Sequence, residues 1–99
     1  MKKLLWAFIS AMFLFNAIPH LVQGICGKSH MTPFAVLSPA VVNVIWAWIN
    51  LVVGWYILRL SDPKTWNMRS WGAFCLGGVI ISLYLAVFWS NPEARLPWH

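Results

Sequence analysis

The sequence predicts an all-α membrane fold: three transmembrane helices in an up-down-up bundle, joined by short loops. Three observations carry this. Of 99 residues, 61% are hydrophobic and only 9% are charged, against about 25% charged in a soluble domain. The charged residues fall outside three long apolar segments. The mean hydropathy of +0.70 leaves little polar surface to face water. At this length a single domain, 1–99, is expected.

The segments run over about 4–25, 39–58 and 71–89, each near the ~20 apolar residues that cross a ~30 Å hydrocarbon core. Helix is required because a spanning segment must satisfy its own backbone polar groups. A strand would alternate polar and apolar residues, and "AVVNVIWAWINLVVGWYIL" does not.

The first segment begins "MKKLLWAFISAMFLF", with the basic start and apolar middle of a signal peptide. No clean small-x-small cleavage pattern follows, and Ile25 is too large for a lipoprotein-type site before Cys26. A retained helix is expected. The loop Cys26–Ser38, which holds Gly27 and Pro33, is expected to be irregular, with Phe34 to Leu37 dipping back to the membrane surface.

Ser38-Pro39 predicts the second helix start, a hydroxyl N-cap followed by proline at the first helical position. Asp62-Pro63 stops that helix, and "PKTWNMRS" suggests a short interfacial turn or helix leading into the third. Asn91-Pro92 ends the third. Trp6, Trp66, Trp71, Trp89 and Trp98 fall near expected interfaces, where an indole is half wet. Trp46 and Trp48 lie deeper, and at least one is expected to pack against a neighbour rather than lipid.

Basic residues set the orientation. Lys2, Lys3, Arg59, Lys64 and Arg69 share one side, and Lys28 and Arg95 the other. The positive-inside rule puts the larger group, with the N-terminus, in the cytoplasm and the C-terminus outside. The net charge of +5 suits anionic lipid headgroups. Membrane lipids are therefore expected partners and nucleic acid is not, since the basic residues are few and scattered.

Helical spacing organises the polar residues. Asn16, His20 and Gln23 share a face of the first helix; Asn43, Ala47, Asn50 and Gly54 share one of the second. Cys75, Gly78, Ser82 and Ala86 share one of the third. Small and polar stripes are how membrane helices associate, so all three stripes are expected to face a common axis. Gly54, Gly78 and Ala86 are the expected close-packing positions.

Depth sharpens this. At a rise of 1.5 Å per residue, His20 lies roughly 24 Å up the first helix and Asn43 about 6 Å down the second. They should meet at one level, and Asn16 with Asn50 and Ser82 at a deeper one. Pro19 frees the carbonyl of Phe15 and loosens the helix where His20 is aimed. Asn16, His20, Gln23, Asn43, Asn50 and Ser82 form either interhelical glue or a ligand or ion site around a titratable imidazole.

Catalysis is not expected. Asp62 and Glu93 are the only carboxylates, on opposite sides of the membrane, so neither a paired-carboxylate mechanism nor a Ser-His-Asp triad can assemble. Cys26 and Cys75 are too far apart in depth to bridge within one chain. His20, Cys26, His30 and Met31 gather near one face, a donor set that suits copper, but their spacing matches no metal signature. No metal and no cofactor is expected; haem would need His20 from two chains.

"NAIPHLVQGICGK", "TPFA" and "SPAVVNVIWAWINLVVGW" resemble a set of small bacterial integral membrane proteins of unassigned activity. Their pattern is approximately N-x-x-P-H-x-x-x-G-x-x-G, then T-P-F, then N-x-x-W-x-x-x-N-x-x-x-G. The resemblance covers Asn16 to Gly54. It implies a bacterial inner membrane and points at Asn16, Pro19, His20, Gly24, Gly27, Asn43, Trp46, Asn50 and Gly54, without supplying an activity. The leading expectation is a non-enzymatic protein that acts by helix association, as a homo-oligomer or an accessory subunit of a membrane complex. The alternative is a membrane-embedded binding or transport module built on the His/Asn cluster.

Overall fold

A computed structural model of the chain describes residues 1–93 and 96–98. Arg95, one of the two basic residues counted on the far side, lies outside the described residues. Helix α1 spans Lys2–Ile25, α2 Ala40–Leu60 and α3 Met68–Ser90. All three are long and apolar enough to cross a membrane. The molecule measures 40 × 24 × 23 Å, and its long axis fits a bilayer of about 40–45 Å with its headgroup regions.

The chain runs up, down and up. α2 and α3 each pack along α1 but scarcely touch one another. α1 is therefore the central rod, and the expected common axis for all three stripes is replaced by two separate contacts on α1. One face of α1 meets α2 where Leu14 lies against Gly54 and where Gly24 fits against Val44 and the Ala40 carbonyl. Another meets α3, where the Phe8 backbone lies against Gly77 and the Phe15 ring against Gly78. A side chain at Gly77 would collide with the Phe8 carbonyl; only a hydrogen there lets the two backbones approach so closely.

α1 runs through Pro19 without interruption and ends in a Schellman turn. Gly27 takes a φ of +74°, Lys28 N–H reaches the Gln23 carbonyl and Gly27 N–H that of Gly24. The turn sends the chain back over the helix end. The expected irregular loop is instead a hairpin, β1 His30–Thr32 paired antiparallel with β2 Ala35–Ser38, with an irregular register between His30 and Thr32. Thr32 and Ser38 join their hydroxyls at 2.6 Å, and Thr32 Oγ1 accepts from Phe34 N–H. Phe34 is exposed at the hairpin tip and Leu37 on β2.

Pro39, not Ser38, is the N-cap of α2. The Ser38 hydroxyl is taken by Thr32 and by the Ala35 carbonyl, so it is not free to cap. At the opposite end Pro63–Thr65 form a short 3-10 helix. Asn67 caps α3, its Oδ1 accepting from Arg69 and Ser70 N–H at 3.1 Å. Lys3 meets Thr65 and Asp62 there, which places the N-terminus and the α2–α3 loop at one end.

Candidate functional site

Asn43 is the hub. It is fully buried in the first turns of α2. Its amide nitrogen donates to the carbonyls of His30 and Ser38, both at 3.0 Å, and reaches that of Pro39 at 3.2 Å. Three carbonyls around one end of the amide fix that end as NH₂, since an oxygen there would face three acceptors. Oδ1 must then point the other way, where His20 Nδ1 lies 2.8 Å from it. An amide oxygen only accepts, so Nδ1 carries the proton. In the neutral imidazole Nε2 then holds a lone pair.

One turn deeper, Asn16 Nδ2 donates to Asn50 Oδ1 at 3.2 Å, and Asn50 Nδ2 donates to the Trp46 carbonyl at 2.9 Å. Both levels expected from helical rise are occupied by the expected pairs, His20 with Asn43 and Asn16 with Asn50.

Ser82 does not join them. It lies exposed on α3, as do Cys75 and Ala86. α3 packs on α1 through Phe74, Gly77 and Gly78, and Ser82, one turn beyond Gly78, does not share that burial. Only Gly78 of the expected α3 stripe is buried. Gln23 is half-buried near the end of α1; its backbone carbonyl serves the Schellman turn.

Between α2 and α3, against α1, is a cavity of about 350 Å³. α1 supplies Met12, Phe13, Asn16 and His20; α2 supplies Trp46 and Asn50. Aromatic and aliphatic groups of α3, including Tyr84, Phe88 and Trp89, close the far side, and Met31 to Pro33 roof it. Because α2 and α3 scarcely meet, the side between them stays open. His20 is only 4% and Asn50 only 3% exposed, so these groups reach the cavity from within the packed protein. Asn43 does not line it. With Nδ1 taken by Asn43, Nε2 is the ring nitrogen free to meet a group in the cavity that His20 lines.

His30 links the roof to the wall. Its ring meets His20 edge-on at 5.1 Å and lies over Trp89 at 4.2 Å between centroids. Burial, and secondarily the neighbouring His20, hold the His30 imidazole below its ordinary pKa. Its Nε2 and the Trp89 Nε1 are buried without a hydrogen-bond partner among the described residues.

Trp46, Trp89, Thr32 and Met31 were not singled out as site residues by the spacing of polar groups. Trp46 does pack against a neighbouring element, edge-on to Phe34 at 5.5 Å, whereas Trp48 is exposed. Cys26 is exposed beyond α1, and no group of three His, Cys, Asp or Glu able to hold a metal occurs among the described residues. Comparison with known families, curated proteins and solved structures gives no match.

Proposed function

We propose that the protein is a multi-pass bacterial inner-membrane binding module that holds a small lipid-soluble molecule in the cavity on α1. In this reading the N-terminus and the α2–α3 loop are cytoplasmic, following the basic residues, and the cavity lies in the outer half of the membrane. The observation that carries it is the imidazole of His20, buried and oriented by Asn43, with Nε2 free to meet a group in the cavity that His20 lines. Polar groups are costly in a membrane interior unless they are paired or face a functional cavity. Apolar, aromatic walls around a few oriented polar groups are the usual make-up of a small-molecule site. No acid, thiol or cationic side chain lines this cavity among the described residues, so the reading is one of binding without catalysis.

A second reading, association with a copy of itself or another membrane subunit, draws on α3 being the least buried of the helices. Lipid covers such a face equally well, because acyl chains are as apolar as leucine. The cavity therefore favours the binding reading.

The test compares small molecules retained by the wild-type protein and by Ile81→Trp after purification in mild detergent. Ile81 lines the cavity on α3, and an indole there fills it. A compound seen by mass spectrometry in wild type and missing from a folded Ile81→Trp variant supports the reading. Identical retained molecules in both overturn it.

A further inference from the structure

The cavity contains a direction of hydrogen bonding that narrows its ligand. Asn43 fixes the His20 proton on Nδ1, so the neutral ring offers the cavity an acceptor, Nε2, and no donor. Asn16 gives one of its two Nδ2 hydrogens to Asn50, and its Oδ1 adds a second acceptor one helical turn along the same face. The walls carry no fixed charge among the described residues. An ionic head would therefore lose its hydration without gaining a counter-charge. Phe13, Trp46, Phe88 and Trp89 present rings around the same space, which favours a flat, polarisable body over a simple acyl chain.

We infer that the cavity takes an uncharged, membrane-soluble phenol whose hydroxyl donates to His20 Nε2 and whose ring packs among those aromatic walls. This rests on the binding reading above and names the ligand class. The ligand enters sideways from lipid through the gap between α2 and α3. Selectivity follows from the locked tautomer. At His20 a molecule of the same shape that only accepts hydrogen bonds meets a lone pair, and a buried acceptor left facing an acceptor disfavours binding there.

The experiment uses 4-octylphenol and its methyl ether, 4-octylanisole, which differ in the hydroxyl hydrogen and share the apolar body. Binding of each to the full-length protein in lipid nanodiscs is measured by equilibrium dialysis. Ile81→Trp nanodiscs give the background from lipid partition. The expected result is a cavity-specific affinity about tenfold higher for the phenol, because the ether leaves the buried His20 acceptor unpaired. In protein ¹⁵N-labelled at histidine, the His20 Nε2 resonance should move with the phenol and stay in place with the ether.

Equal cavity-specific binding of the two probes overturns the hydroxyl-donor inference and leaves the binding reading standing. Binding of neither above the Ile81→Trp background overturns the inference as well. The binding reading then falls only if purified wild type and Ile81→Trp also retain the same molecules. A phenol preference without movement of the His20 signal overturns the assignment to Nε2.

Discussion

Asn43 and His20 share a buried hydrogen bond of 2.8 Å that ties α2 to α1 where the hairpin folds over them. The same amide holds the carbonyls of His30 and Ser38, so one side chain fastens three segments. Asn43→Leu leaves the imidazole and those carbonyls without this partner. The expected loss is about 3 kcal/mol, read as a shift in reversible unfolding in mixed micelles. A loss below about 0.5 kcal/mol would show that these groups find other partners.

Gly77 and Gly72 lie on the same helix and should respond oppositely to alanine. A Cβ at Gly77 meets the Phe8 backbone, while one at Gly72 meets nothing within 4 Å. Gly77→Ala should destabilise by about 1–3 kcal/mol through overpacking. Gly72→Ala should be neutral or stabilising by up to about 1 kcal/mol through helix propensity. Thermal unfolding of the two variants beside wild type checks the contrast, and equal shifts would contradict the close α1–α3 approach.

His30 makes stability depend on pH. Its folded pKa is lowered from the ordinary 6.5 by burial and by His20, so below pH 6.5 the unfolded chain binds the proton more readily than the folded one. This contribution is complete above about 6.5 and is lost as pH falls from there toward the lowered folded value. His20 is the titratable group that faces it, and is present in both proteins compared. His30→Gln keeps the backbone carbonyl that Asn43 uses and should flatten the slope of stability just below pH 6.5. An unchanged slope would assign the dependence elsewhere.

Asn16 and Asn50 share a single bond of 3.2 Å. A double-mutant cycle with Asn16→Ala and Asn50→Ala should return a coupling of about 0.6 kcal/mol, the average for such bonds between membrane helices. A coupling near zero would mean that the pair only fills space.

Cys26 is exposed at the hairpin end, which the proposed orientation places outside. A membrane-impermeant maleimide added to intact cells should label wild type and not Cys26→Ser. Labelling that appears only after the cells are opened would reverse the orientation.

Much of α1 and α2 was legible because lipid restricts where an amide can go. Asn16, His20, Asn43 and Asn50 each needed a polar partner at their own depth, and a fixed rise per residue gives that depth from the sequence. The glycines were less legible. Gly54 and Gly78 pack as expected, whereas Ala86 is exposed and Gly77, the closest approach to α1, lay outside the expected stripe.

The sequence by itself determined the three spans and the two polar pairs between α1 and α2, because hydropathy and the need to satisfy amides act locally or along one axis. Tertiary structure alone decided which side of α3 meets α1, that the loop pairs into a hairpin, and that a cavity opens beside His20. The physical reason is that an apolar side chain has nearly the same free energy against lipid as against another helix. Hydropathy cannot choose between those environments, whereas the fit of the Phe8 backbone into the space at Gly77 can.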